Sequence, residues 1–203
     1  MKRITMFTIA TFTVLYAASL ALSADAVDTP GGPASRAARG KYLVTAMGCN
    51  DCHTPWKVGP NGPEPDMTKM LSGHPQEFKL PAAPAAKGPW LWQAAATNTA
   101  FAGPWGVSYA ANLTPDTHTG LGIWTEDIFV KAIRTGKHFG TSRPIQPPMP
   151  WPAFRNLNDE DLKSIYAYLR VIPPVKNLVP DYAPPKEPAQ KLASAAKPER
   201  SGK

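Results

Sequence analysis

Apolar side chains recur at helical spacing in two segments of the second half of the chain. Thr125 and Asn158 precede these segments as N-terminal caps, each followed by carboxylates that favour the helix dipole. Gly136 ends the first segment, and the pair Pro173-Pro174 ends the second. The apolar face of each segment consists of Ile128, Phe129, Ala132 and Ile133 in the first and Leu162, Ile165, Tyr166 and Leu169 in the second. This spacing predicts two amphipathic helices.

A third helix is predicted over Arg36 to Met47, with Ser35 as its cap and Gly48 at its end. Residues 54–111 show little periodicity and are rich in Pro, Gly and Ala, which indicates a long irregular loop insertion. A loop of this length is uncommon in a compact domain unless it has a function, such as covering a bound group. We therefore expect an all-α fold of about three to five helices with one long loop.

The N-terminal residues 1–26 resemble a secretory signal peptide. Lys2 and Arg3 precede an uncharged apolar stretch, which ends in the small-residue sequence Ala24-Asp25-Ala26. An uncleaved membrane anchor is the alternative, because the stretch approaches the ~20 residues that a spanning helix needs. Either interpretation implies export, and we expect the protein in the periplasm.

The remaining chain divides into three parts by composition. Residues 27–35 are expected to form a flexible lead-in and residues 36–178 the folded domain. Residues 179–203 are rich in Pro, Lys and Ala and are expected to be disordered. The net charge of +7 is compatible with an acidic protein partner, and export argues against nucleic acid as the partner.

The two cysteines are three positions apart and are followed by a histidine, in the sequence Cys49-Asn50-Asp51-Cys52-His53. This C-x-x-C-H motif is typical of covalent haem attachment: the two thiols add to one porphyrin edge, and the histidine binds the iron. A thiol redox pair or half of a zinc site are the alternatives. A zinc site would need further ligands at short spacing, and the other histidines are scattered singly. The motif therefore predicts one covalent haem c held by Cys49, Cys52 and His53.

A methionine sulfur is a common second axial ligand of haem iron. Met149 lies in the sequence Gln146-Pro147-Pro148-Met149-Pro150, where the prolines restrict the backbone and hold the side chain rigidly. We therefore expect Met149 to be the ligand. Met67 and Met70 lie in the loop and are also possible, whereas Met47 is too close to the motif to reach the opposite haem face. His138 is a rival that would lower the potential.

Several segments carry a resemblance to a known family. They are Gly40–Val44, Gly48–Thr54, Asn112–Asp116, Gly120–Glu126, Pro148–Phe154 and Leu157–Leu169. Together they resemble a class I c-type cytochrome, and in particular the haem domains in the cytochrome subunits of periplasmic alcohol and sugar-acid dehydrogenases. The resemblance spans about residues 36–175 and is loosest in the 54–111 loop. Those subunits typically carry several haem domains and a membrane anchor, whereas this chain has one C-x-x-C-H motif.

The resemblance implies further roles for residues outside the motif. Gly40 is expected to let the first and last helices cross closely, against Ile165 and Tyr168. The haem edge is expected to be lined by Asn112, Leu113, Thr114 and Trp124. Asn112 and Thr114 could alternatively only shape the turn before Pro115.

These features together predict a single-haem electron carrier, not an enzyme. It would pass one electron at a time between a periplasmic or membrane donor and an acceptor, with a periplasmic dehydrogenase or a terminal oxidase as possible partners. Contact with the membrane would occur only through a partner or an uncleaved signal anchor. The alternatives are a haem enzyme or gas sensor with an open iron site, and a haem-free thiol oxidoreductase.

Overall fold

The computed structural model describes residues 32–83 and 91–185. The chain divides into two compact units, Met1–Ser35 and Arg36–Lys203, and the predicted functional residues all belong to the second unit. The predicted signal peptide and the tail from residue 186 onward lie outside the described residues. In the part of the chain that is described, no helix is both long enough and apolar enough to cross a membrane.

One helix leads into the C-x-x-C-H motif, and the motif is itself helical. Helix α1 is Pro33–Ala46 and helix α2 is Cys49–His53, so the motif itself forms one short helix. Gly48 between them has φ 69°, a left-handed conformation that glycine adopts without steric cost. The prediction that Ser35 caps α1 was wrong: the helix begins two residues earlier, at Pro33, whose fixed φ suits the first turn of a helix.

The two amphipathic helices formed as predicted. Helix α3 is Glu126–Thr135, and the amide of Ile128 donates to the Thr125 hydroxyl at 3.2 Å. A four-residue helix α4, Trp151–Phe154, separates it from α5, Asp159–Val171. The cap of α5 is closed by the amide of Asp161, which donates to Oδ1 of Asn158 at 2.7 Å. Short 3-10 helices lie at Met67–Lys69 and His138–Gly140.

The expectations of an irregular 54–111 loop and an all-α fold were wrong, because the described residues of this stretch include five short strands. Two antiparallel sheets form there: β1 and β2 as one pair, and β3, β4 and β5 in that order. The strands are Trp56–Gly59, Gly62–Pro65, Gln93–Ala94, Ala100–Gly103 and Gly106–Tyr109. Strands of two to four residues are too short to produce a period-two pattern in the sequence.

The core is formed where helices α1, α3 and α5 meet. Buried apolar side chains from the three helices form one cluster, which also includes Leu71 and Leu121 from the connecting segments. The helical members are Leu43, Val44, Phe129, Ile133, Leu162, Ile165 and Leu169. This core fits the class I cytochrome arrangement that the sequence predicts, with the sheets added at its side.

The first residues of the predicted disordered tail are in fact ordered. Ala183 pairs with Val107 of β5 through two backbone hydrogen bonds, of 2.8 and 3.0 Å. Upstream, Asn177 is buried and its side-chain amide donates to the carbonyls of Ser72 and His74 at 2.7 and 2.9 Å. Composition alone could not reveal these contacts, because their partners lie between 76 and 105 positions away in the sequence.

Candidate functional site

A cavity of about 620 Å³ lies between the helical core, strand β5 and the segment 178–182. Its volume is within the ~300–1,000 Å³ range of cofactor sites. The walls are mainly apolar, with contributions from α1, α3 and α5. Four predicted haem-binding residues line this cavity: Cys49, Cys52, His53 and Met149. The fold therefore brings together residues that are a hundred positions apart in sequence.

The motif helix α2 is fastened to the insertion by backbone contacts. The carbonyl of Asp51 accepts hydrogen bonds from Trp56 Nε1 at 2.9 Å and from Asn98 Nδ2 at 2.8 Å. The carbonyl of His53 accepts from the amide of Gly73 at 2.8 Å. These bonds hold the motif helix against the insertion that follows it.

Thr54, the residue after the motif, is fully buried and joins the motif to the loop. Its hydroxyl donates to Asn50 Oδ1 at 2.8 Å and accepts from the amide of Leu71 at 2.9 Å. The sequence offered no signal for this role, because a threonine after the motif looks like any other loop residue.

The imidazole of His53 is oriented by a carbonyl. Its Nδ1 lies 2.8 Å from the carbonyl oxygen of Ala111, and because a carbonyl can only accept, Nδ1 carries the proton. Nε2 then holds the lone pair that a metal ligand requires. Burial lowers the pKa of His53, which favours the neutral form that binds metals.

The two thiols lie in an environment that suppresses ionisation. Burial raises the pKa of Cys49 to about 11, and burial together with Asp51 raises the pKa of Cys52. A dithiol oxidoreductase needs a depressed thiol pKa, because the thiolate is the nucleophile. The environment of the pair therefore disfavours the haem-free thiol chemistry.

The methionines differ in their relation to the cavity. Met149 and Met47 line it, and Met47 directly precedes the motif. Met67 is exposed. The sulfur of Met70 accepts a weak hydrogen bond from the Tyr168 hydroxyl at 3.9 Å. Neither of these two is among the cavity-lining residues. Of the three candidate methionines, Met149 is thus the only one that lines the cavity.

Of the four residues expected at the haem edge, Asn112, Leu113 and Trp124 line the cavity, whereas Thr114 is not among the lining residues. The amide group of Asn112 is engaged elsewhere: Nδ2 donates to the carbonyl of Val175 at 2.8 Å, and Oδ1 accepts from the Thr114 amide at 2.9 Å. These contacts favour the turn-shaping role of Asn112 over a contact with a bound group.

Aromatic rings close one end of the cavity. Trp124 stacks on Phe139 with ring centroids 4.6 Å apart, and its backbone carbonyl accepts from the Tyr166 hydroxyl at 2.6 Å. The rival ligand His138 also lines the cavity and meets the Trp124 ring edge-on at 5.1 Å. Packing against Trp124 and Phe139 gives His138 a structural role that does not require a metal.

The donor set and the cavity fit one covalent tetrapyrrole. The thiols of Cys49 and Cys52, the imidazole of His53 and the thioether of Met149 all line the cavity. The described residues contain no group of three His, Cys, Asp or Glu side chains that could hold a metal ion by themselves. Apolar walls suit the porphyrin faces. Such a combination defines the class of c-type cytochromes.

Comparison with known proteins gives the same result. The family model described as cytochrome c matches residues 37–172, and the chain belongs to the cytochrome c family of electron-transfer proteins. It is 32% identical over 132 residues to the gluconate 2-dehydrogenase cytochrome c subunit of Pantoea cypripedii, covering 64% of this chain and 22% of the relative. It is 30% identical over 131 residues to the fructose dehydrogenase cytochrome subunit of Gluconobacter japonicus, covering 64% and 20%.

A shorter match relates the chain to one of the subunits of the nicotinate dehydrogenase of Pseudomonas putida. The two are 40% identical over 77 residues, which is 38% of this chain and 6% of the relative. The chain therefore spans between 6% and 22% of the length of these three relatives.

Proposed function

We propose that this chain is a periplasmic cytochrome that carries one covalent haem c and passes single electrons between protein partners. The observation that carries the proposal is that the C-x-x-C-H thiols and imidazole line the same cavity as Met149. Cys49 and Cys52 would form the thioether bonds, and His53 and Met149 would be the axial ligands.

When bound, the haem supplies an iron that takes up and releases one electron without forming bonds to a substrate. The residues of the chain orient the histidine ligand and set the polarity of the site. The carbonyl of Ala111 orients the His53 ring. Apolar side chains of α1, α3 and α5 exclude water, and a methionine ligand in an apolar site raises the reduction potential relative to histidine.

The proposed partner is a dehydrogenase of the periplasm. The support is that the gluconate and fructose relatives named above are cytochrome subunits of dehydrogenases. A single C-x-x-C-H motif suits a shuttle that meets its partners briefly, and such redox encounters use small interfaces. The proposed acceptor of the electron is a terminal oxidase.

The decisive experiment is mass spectrometry of the protein purified from a periplasmic extract. We expect one haem to be added to the polypeptide and to remain after acid-acetone extraction. The double variant Cys49→Ser/Cys52→Ser should lose this mass, whereas single replacements should retain one thioether bond. A wild-type protein without added tetrapyrrole mass would refute the proposal.

Visible spectra separate the proposed carrier from an enzyme or sensor with an open iron site. A carrier with both axial positions filled should bind carbon monoxide slowly in the ferrous state. Rapid uptake by the wild-type protein would instead favour the open-site alternative.

A further inference from the structure

The segment that presents Met149 has few backbone hydrogen bonds of its own. Three of its five residues are prolines and have no N–H group to donate. The amide of Met149 donates to the Gln146 carbonyl at a long 3.3 Å. We call residues 146–150 the methionine loop. Its position therefore depends strongly on the hydrogen bonds that its carbonyl groups accept from other parts of the chain.

Ser108 of β5 supplies a donor to this loop. Its buried hydroxyl lies 2.6 Å from the carbonyl oxygen of Pro147, two residues before Met149. A hydroxyl has one proton, and the other carbonyl within reach, that of Phe101, is much farther away at 3.4 Å. The proton therefore points at Pro147, and the Ser108 oxygen is left to accept from Trp105 Nε1 at 3.2 Å.

Ser108 is itself held in place from two sides. It pairs with Phe101 across the β4–β5 hairpin, and its neighbour Val107 pairs with Ala183. The hydroxyl of Tyr182 donates to the carbonyl of Trp105, which ties the turn of the hairpin to the C-terminal segment. The donor is thus part of a fixed frame and not of a mobile loop.

The same short segment also contacts the C-x-x-C-H motif. Three residues after Ser108, the carbonyl of Ala111 accepts from His53 Nδ1 at 2.8 Å. Residues 108–111 therefore contact both the imidazole and the methionine loop. One short stretch of chain thus connects the two residues that, by the proposed function, would bind the haem iron.

We propose that Ser108 is a positioning residue for the axial methionine, and that residues 108–111 set the distance between the two axial ligands. This inference rests on the proposed function, because it requires Met149 to bind iron. Removing the hydroxyl would leave the Pro147 carbonyl without its donor. The loop would then move more freely, and the sulfur would leave the iron more often.

The test compares Ser108→Ala with Ser142→Ala in the haem-loaded protein. The Ser142 hydroxyl also donates to the carbonyl of a cavity-lining residue, that of His138 at 2.7 Å, and within the described part of the chain it forms no hydrogen bond with the methionine loop. The readouts are the far-red absorption band of methionine bound to ferric haem and the affinity of the ferric protein for added imidazole, which competes with the sulfur.

We expect Ser108→Ala to bind imidazole about three- to tenfold more tightly, which is the range that one hydrogen bond accounts for. Ser108→Thr keeps the hydroxyl and should restore most of the wild-type affinity. Trp105→Phe removes the indole N–H that donates to Ser108, together with part of the ring, and should change the affinity in the same direction by less. If Ser108→Ala fails to accumulate, the Trp105→Phe variant tests the positioning role in its place.

The outcomes separate the two proposals. In the first outcome the wild-type protein shows the far-red band, but Ser108→Ala and Trp105→Phe bind imidazole with the same affinity as Ser142→Ala. This result overturns the positioning role and leaves Met149 ligation intact. A wild-type protein without the band overturns Met149 ligation and the positioning role together.

Discussion

Gly40 of α1 lies directly against the backbone of Ser164 in α5. A Cβ atom added at Gly40 would stand 1.9 Å from the Ser164 carbonyl oxygen and 2.8 Å from the Cβ of Tyr168. No side chain fits this gap, because one of the opposing atoms belongs to the backbone. The two helices both line the cavity, and their crossing therefore depends on a glycine at this position.

Replacing this glycine should destabilise the protein. Gly40→Ala forces two packed helices apart, and overpacking of this kind costs about 1–3 kcal/mol of unfolding free energy. Denaturant unfolding of the ferric protein measures the loss. Lys41→Ala, at an exposed position on the same helix, is the control and should lie close to the wild type. Equal stability of the two variants would mean that the helices can move apart without cost.

Loss of the axial sulfur should be visible in the spectrum. Met149→Ala should abolish the far-red band, lower the reduction potential and allow carbon monoxide to bind the ferrous protein. Met67→Ala and Met70→Ala should leave all three properties unchanged, because neither side chain lines the cavity.

His138 could take the vacant position in Met149→Ala, because it lines the same cavity. In that case Met149→Ala alone would not bind carbon monoxide. Adding His138→Phe to this variant would then restore an open position on the iron and allow carbon monoxide to bind. A far-red band that survives in Met149→Ala would assign the sulfur to another methionine.

Asn177 should contribute strongly to stability. Its amide donates to the carbonyls of Ser72 and His74, and Oδ1 accepts from the Gln76 amide at 2.9 Å. Asn177→Ala leaves these buried groups unpaired, and we expect a loss of at least about 2 kcal/mol in unfolding free energy. Lys176→Ala, at the exposed neighbouring position, should change it by less than about 0.5 kcal/mol. A similar effect of both replacements would contradict a structural role of the Asn177 amide.

The buried His74 should make the protein less stable in mild acid. Nε2 donates to the Phe78 carbonyl at 3.1 Å, so Nδ1 accepts from the Thr99 hydroxyl at 2.9 Å and the ring is neutral. Burial lowers the pKa of His74, and the nearby charges of Glu77 and Lys79 act in opposite directions. The unfolded chain, with a histidine pKa of about 6.5, therefore binds a proton at pH values where the folded protein does not.

It follows that the stabilising contribution of His74 is present above about pH 6.5 and is lost as the pH falls through the folded-state pKa. Unfolding free energies measured from pH 7 to pH 5 should decline less steeply in His74→Gln than in the wild type. The exposed His118 provides the control variant, His118→Gln. Parallel pH profiles of the wild type and His74→Gln would exclude this contribution.

The parts of the fold that local sequence determines were predictable. Thr125, Asn158 and Gly136 cap helices through contacts within three or four residues, and the structure has these caps. The C-x-x-C-H motif is equally local. Features made by distant residues were not predictable in the same way. Ser108 gives no signal of its contact with Pro147, because nothing in its neighbourhood indicates a partner 39 residues away.

Some expectations were correct in kind and wrong in detail. The helix crossing at Gly40 was expected against Ile165 and Tyr168, and its nearest neighbours are the Ser164 backbone and Tyr168. A one-residue difference on a helix turns the contact by about 100°. Burial of Ile165 in the core explains the difference, because the same side chain cannot also face the glycine.

The hydrogen bond between Asn177 and Ser72 has a consequence for biosynthesis. The two residues are 105 positions apart, so the contact cannot form until residue 177 has been synthesised. Cys49 and Cys52 emerge far earlier. During that interval the part of the cavity wall contributed by residues 178–182 does not yet exist, so the cavity is open on that side when the two thiols emerge.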